Sequence, residues 1–134
     1  MNCILLIDDD DDCNFFHRRL LTKLNCAEHI EVAKNGIEAL EFLRSVRNGN
    51  HDNPSIIFLD INMPKMNGWE FLEEYKKLSD QQKAKIVLIM LTTSLNPQDQ
   101  ERAKTYSDVD GFKNKYLDEE SLDEILQKYF PEYL

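Results

Sequence analysis

Three short runs of the chain are apolar almost without interruption: CILLI at 3–7, SIIFL at 55–59 and KIVLIML at 85–91. A strand that is apolar on both sides of its pleat has to be covered on both faces, and helices packed on either side of a parallel sheet are the usual cover. Two weaker strand signals complete the set. HIEVA at 29–33 alternates like a strand nearer an edge, and VDGFK at 109–113 follows the last long gap. Strands alternating with helical segments predict one doubly wound α/β domain with right-handed crossovers.

Helical spacing fills the gaps. Phe16, Leu20 and Leu24 predict one apolar face for the first helix. Asn35 with Glu38 three residues on has the spacing of a capping box, and Ile37, Leu40 and Leu43 continue that second helix. Phe71, Leu72, Tyr75 and Leu78 mark the third. Asn96 followed by Pro97 suits a cap and first helical position, but the segment QDQERAKTYSD has little to bury, so this fourth helix is expected to be exposed and weakly held. The fifth is expected to start at Ser121, with Glu124 at capping-box spacing and Leu122, Ile125, Leu126 and Tyr129 on its inner face.

Composition bounds what such a domain does. The 134 residues carry a net charge of −9 and show no basic stripe, which argues against nucleic acid as a direct partner. Cys3, Cys13 and Cys26 are odd in number and lack CxxC spacing, so neither a disulfide framework nor a zinc site is expected, and Cys3 should pack as a small apolar residue. His17, His29 and His51 show no ligand spacing and are expected to have structural or surface roles. With no signal peptide and no run of roughly 20 apolar residues, a soluble, cytoplasmic chain that avoids membranes is the expectation.

In a doubly wound sheet, chemistry gathers at the carboxyl ends of the strands near the point where strand order reverses. The reactive residues fall there. Asp8 and Asp9 follow the first apolar run, Asp60 the third, Thr92 and Thr93 the fourth, and Lys115 comes shortly after the fifth strand. Crowded carboxylates cannot all stay ionised without compensation, and a hard divalent cation such as magnesium supplies it through oxygen ligands. With such an ion, an ammonium and a hydroxyl nearby, a phosphoryl group could be held and a carboxylate could accept it. Asp10, Asp11 and Asp12 are better placed to start the first helix, where negative charge suits the helix dipole. A calcium loop beginning at Asp8 is excluded, since it would need glycine where Cys13 stands and glutamate where Arg19 stands.

ILLIDDD, IIFLDINMPKMNGWEFL, VLIMLTTS and DGFKNK occur in this order across essentially the whole chain. Together they resemble the receiver domain of two-component response regulators, of the chemotaxis-regulator-like, stand-alone type. The resemblance implies a flavodoxin-like three-layer fold, a parallel sheet in the order 2-1-3-4-5 and five helices, with residues 1–134 forming a single receiver domain and no output domain. It implies Asp60 as phosphoacceptor, Asp8 and Asp9 as the acidic pair, and Asn62 as a backbone-carbonyl ligand of Mg2+, with Mn2+ as an alternative ion. Asp9 would bind the metal directly and Asp8 largely through water. Thr92 and Lys115 would contact the phosphoryl oxygens, and Phe112 would follow Thr92 in a switch of the face formed by helix four, strand five and helix five. The implied partners are a sensor histidine kinase or phosphotransfer protein as donor and a downstream protein target. No independent substrate turnover is implied.

Two features depart from the family pattern. Tyr116 stands where proline usually follows the lysine, which leaves the Lys115–Tyr116 peptide open between cis and trans and makes Lys113 the competing lysine. The long stretch RSVRNGNHDNP at 44–54 resembles a subgroup of stand-alone receivers, some of which dimerise, so a homodimer is among the expected states. Two alternatives compete. A haloacid-dehalogenase-like phosphatase would use Asp8 and Asp10 as its D-x-D pair, but the glycine and threonine expected after it, a late acidic pair and room for a cap domain are lacking. A degenerate receiver serving only as a binding module rests on Tyr116 alone. Ser94 and Asn62 flank the site and are expected to influence hydrolysis of the phosphoryl group.

Overall fold

The computed structural model describes residues 3–45, 53–93 and 96–131. Within them five strands, β1 (Cys3–Ile7), β2 (His29–Ala33), β3 (Ile56–Asp60), β4 (Val87–Thr92) and β5 (Gly111–Asn114), form one parallel sheet in the order β2-β1-β3-β4-β5. Five helices intervene: α1 (Asp11–Lys23), α2 (Gly36–Ser45), α3 (Gly68–Tyr75), α4 (Pro97–Lys104) and α5 (Glu119–Tyr129).

The two-sided apolar runs are explained by two cores, one on each face. Successive side chains of a strand point to opposite faces. Leu5, Ile7, Ile57 and Leu59 therefore pack with α2 and α3, while Ile4, Leu6, Ile56 and Phe58 pack with Leu21 of α1 and with Leu122, Ile125 and Leu126 of α5. Every residue of β1, β3 and β4 is buried, whereas β2 at the edge is only partly covered.

Several boundaries differ from the sequence expectation. β3 begins at Ile56 and extends to Asp60, which pairs with Leu91. Lys85 and Ile86 lie before β4, their N–H groups donating to Pro54 and Ser55 carbonyls in a connecting loop. β5 starts at Gly111, because Asp110 closes the ladder with its side chain: its carboxylate accepts the Leu88 N–H at 2.9 Å. α5 starts at Glu119, not Ser121. Asp118 is the cap, accepting the Ser121 N–H at 2.7 Å, and Leu117 just before it is buried in the core.

The buried faces also shift. Phe16 is 44% exposed, and the stripe that α1 turns inward is Cys13, His17 and Leu21, with Leu20 and Leu24 half-buried at its margin. Ile37 is likewise 44% exposed, whereas Leu40 and Leu43 of α2 are buried as expected, together with Ala39. Leu78 is partly buried but lies beyond the end of α3. Asn35 does cap α2, accepting the Glu38 N–H at 2.9 Å, while the Glu38 carboxylate reaches the Lys34 N–H instead of that of Asn35. Asn96 caps α4 through the Gln98 N–H, and Ala103 is the buried residue of that helix. Most of the 44–54 stretch, with His51, lies outside the described residues, as does Ser94.

One close approach positions the site. α3 starts against the end of β3: Gly68 N–H donates to the Ile61 carbonyl at 2.7 Å, and a Cβ on Gly68 would come within 2.8 Å of the Asp60 carbonyl oxygen and 2.9 Å of the Ile61 Cα. Backbone cannot yield there as a flexible side chain could. Gly68→Ala is expected to cost roughly 1–3 kcal/mol by overpacking, read as a lower urea midpoint at unchanged slope.

Candidate functional site

The strand order reverses between β1 and β3, and the two strands end in Asp8 and Asp60 side by side. Asp8 is fixed from several directions. Its N–H donates to the Ala33 carbonyl at 3.0 Å, its carbonyl accepts the Asn14 side-chain amide at 2.8 Å, and its carboxylate accepts the Asp10 N–H at 3.0 Å. Asp9 is exposed beside it. One carboxylate oxygen from each of Asp8, Asp9 and Asp60 lies within 4.8 Å of the others. The next aspartates are otherwise engaged: Asp10 caps α1 by accepting the N–H groups of Asp12 and Cys13, and Asp11 and Asp12 occupy the first turn. Asp10 is therefore not positioned as the second half of a D-x-D nucleophile pair.

Lys115 reaches the same pocket from the far side of the sheet. Its N–H donates to the Thr92 carbonyl at 2.7 Å, and its ammonium lies 2.9 Å from Asp8 Oδ2, 3.1 Å from Asp8 Oδ1 and 3.7 Å from Asp60 Oδ2. The Lys115–Tyr116 peptide is cis. Lys113, the competing lysine, instead pairs with Glu124 of α5 at 2.7 Å. Thr92 ends β4 one residue beyond Leu91, the strand partner of Asp60, and is buried. Phe112 opposes Met90 and is half-buried, with clefts on either side lined by α4 and α5 residues.

The charges do not balance. Burial first, and the neighbouring Asp8 charge second, push the Asp60 carboxyl up to about 6, although Lys115 and the Asn62 N–H pull it down. Burial works against the Lys115 ammonium, but its hydrogen bond to Asp8 and the charges of Asp8 and Asp60 outweigh it, so that ammonium is held above its ordinary range. Three converging carboxylates, one of them strained toward its neutral form, make an all-oxygen donor set that fits a hard divalent cation.

Sequence reasoning missed the layer behind the carboxylates. Asn14 and His17 are both buried in α1, Asn14 tying Asp8 down and His17 accepting the Leu117 N–H at 3.0 Å. Their inward positions follow from the spacing to Leu21, but neither polar residue registers as part of an apolar stripe. Asn67 was also missed. It caps α3 in a reciprocal box with Glu70, at 2.9 and 3.0 Å, next to the Gly68 contact.

The fold and site define a class of protein: a doubly wound α/β domain with converging carboxylates and a buried ammonium at its switch point. The chain belongs to the response regulator receiver domain family, whose model matches residues 4–127. It is similar to a crystal structure of a two-component response regulator from Cytophaga hutchinsonii, with 34% identity, a TM-score of 0.84 and 96% of both chains covered. It is 33% identical over 100 residues to the probable methanogenesis regulatory protein FilR2 of Methanothrix harundinacea (75% of this chain, 63% of that protein). It is 31% identical over 99 residues to the response regulator Rcp1 of Synechocystis (72% of this chain, 65% of that protein). The aligned chain thus spans less than two thirds of either relative. No helix among the described residues is long and apolar enough to cross a membrane.

The raised Asp60 pKa predicts a pH-dependent penalty in the metal-free protein. The native state holds this proton more tightly than the unfolded chain, so wild-type stability falls as pH rises from the ordinary carboxyl value of 3.8 through about 6. Asp60→Asn should therefore stabilise the metal-free protein by about 2–3 kcal/mol near neutral pH. The gain should shrink as pH is lowered through about 6 and vanish below the unfolded carboxyl value. Paired urea titrations of variant and wild type in chelator check this, and a gain independent of pH would refute it.

Proposed function

We propose that this receiver domain accepts a phosphoryl group on Asp60 from the phosphohistidine of a histidine kinase or phosphotransfer protein. The observation that carries the reading is the convergence of Asp8, Asp9 and Asp60 with the Lys115 ammonium at the ends of β1, β3 and β5. An Asp60 carboxylate oxygen attacks phosphorus, the new O–P bond forms as the P–N bond to the donor imidazole breaks, and the imidazole retains the bonding pair and takes up a proton. Asp8, Asp9, Asp60 and the Asn62 carbonyl would hold a magnesium ion, with manganese as an alternative; when bound, it neutralises charge on the carboxylates and the phosphoryl oxygens. Lys115, which sits closer to Asp8 than to Asp60, would turn its ammonium toward the new phosphoryl oxygens, and the Thr92 hydroxyl would donate to another.

The readout would run through Thr92 and Phe112 to the face made by α4, β5 and α5. Phe112 is only half-buried and has open clefts beside it toward both helices. α4 is tethered to α3 by side-chain stacking: the Arg102 guanidinium lies 4.5 Å over the Trp69 ring, and Trp69 stacks on Tyr106 at 6.1 Å. Such contacts are worth about 0.5–2 kcal/mol each, little enough for one new charge to redistribute. A downstream protein, or a second copy of the chain, would read this face.

Incubation with acetyl phosphate and magnesium is expected to give a base-labile phosphoryl adduct that peptide mapping places on Asp60. Uptake at the same peptide in Asp60→Asn would defeat the assignment. Lys115→Ala should slow uptake by about 10²-fold or more, as when one oriented charge donor is lost, whereas Lys113→Ala should leave it near wild type. A reversed order would identify Lys113 as the functional lysine.

A further inference from the structure

The segment that aims Lys115 is short. β5 ends at Asn114 and α5 begins at Glu119, so residues 115–118 carry the ammonium between two fixed points. One end is held by the Lys115 N–H on the Thr92 carbonyl, the other by the Asp118 cap. In between, the Leu117 N–H is directed into the protein, where only a strong acceptor keeps a buried donor from costing stability. That acceptor is Nε2 of His17, at 3.0 Å, presented by α1.

We propose that His17 is a positioning residue for Lys115, its imidazole fixing the Leu117 amide and with it the turn that points the Lys115 ammonium into the acidic pocket. The proposal rests on the reading of Lys115 as a phosphoryl-binding group.

The hydrogen bond from Leu117 specifies the tautomer of the ring. An amide N–H can only donate, so Nε2 must carry the lone pair and the ring proton must sit on Nδ1. Cys13 Sγ, one turn earlier on α1, lies beside the ring, 3.6 Å from Nδ1 and 4.0 Å from Nε2. Burial chiefly, with the nearby charge of Asp8 second, keeps the Cys13 thiol protonated. Burial also holds His17 neutral, lowering it to about 4 against the opposing pull of Asp8. Contacts therefore run from the Leu117 amide to His17 and on to Cys13. Lys115, two residues before the amide that His17 holds, has its ammonium 2.9 Å from Asp8. Tyr116 and Phe16 wall the imidazole with edge-on rings, 5.7 and 6.0 Å from it.

A residue that merely filled this space could be replaced by leucine. A positioning residue needs its acceptor atom, which glutamine can place near the Nε2 position and leucine cannot. In magnesium-saturated protein, His17→Leu is expected to weaken beryllofluoride binding and slow phosphoryl uptake by about ten- to a hundredfold, the range for a misplaced reacting group. Magnesium affinity measured by calorimetry should stay near wild type, and His17→Gln should recover most of the loss. In a Lys115→Ala background, His17→Leu should cost nothing more. Loss of equal size in that background overturns the proposal, as does a joint fall in magnesium and beryllofluoride affinity that glutamine does not recover. Long-range proton–nitrogen spectra of wild type give a test that does not depend on any variant folding. The Nδ1–H tautomer of His17 is expected, and the Nε2–H tautomer overturns the proposal alone. Wild-type protein that binds magnesium but neither takes up phosphoryl nor binds beryllofluoride overturns the reading of Lys115 and this proposal together.

Discussion

The ion pair between Lys115 and Asp8 is the contact around which the carboxyl edge of the sheet is organised. Its two side chains are 8% and 6% exposed, so both charges have lost most of their water and each depends on the other. Breaking such a pair from one side leaves an uncompensated buried charge, costlier than the pair itself. The surrounding backbone is arranged accordingly. Asp8 is held by amides from Asp10 and Asn14, and Lys115 is anchored through its own N–H to β4. The pair satisfies Asp8 more fully than Asp60, whose nearest oxygen is 3.7 Å from the ammonium. Asp60 is thereby left as the carboxyl with the elevated pKa, a group the fold buries without fully neutralising.

That electrostatic arrangement depends on rigidity, and rigidity comes from the two-sided core. β1 and β3 are buried along their whole lengths, so their tips are firmly packed places to mount side chains that repel one another. α3 adds a second constraint. Its first residue, Gly68, leaves no room for a Cβ beside the carbonyl of Asp60, and the Asn67–Glu70 box secures the helix start at that point. A shift of Asp60 along the sheet would have to move α3 with it, which favours rotation of its carboxyl group over displacement of its backbone.

The fold and the acidic pocket were legible in the sequence for the same reason. Continuous apolar runs identify buried parallel strands, and a charged residue directly after such a run has few places to be except the strand tip; Asp8, Asp9 and Asp60 follow from that rule. The layer behind them was hidden because its residues do not resemble core. The inward face of α1 reads Cys13, His17, Leu21, and a search for aliphatic spacing selects Phe16, Leu20 and Leu24 one position away. Only a contact made across 100 residues, from His17 to Leu117, shows why an imidazole is there. The start of α5 was misplaced for a related reason. Asp118 and Ser121 are both good caps, and burial of Leu117 together with the tether of Lys115 to Thr92 leaves Asp118 as the first residue free to take that role.

The least constrained helix lies close to the most constrained site. Ala103 is the buried residue of α4, and the helix is otherwise joined to its neighbour by the Arg102–Trp69–Tyr106 stack. Trp69 follows directly on Gly68, the residue in contact with the Asp60 backbone. Stacked rings and a guanidinium tolerate sliding better than an interdigitated aliphatic core, whose packing resists even small changes of volume. A charge change at Asp60 would therefore be resisted by β1, β3 and the first turn of α3. Under the function proposed above, it would be expressed where packing is sparsest, at α4 and at the half-buried Phe112 beside it. Packing is thus graded across the domain, dense along β1 and β3 and sparse at α4, and under the proposed function that gradient would give a local event at a buried carboxyl a direction in which to act.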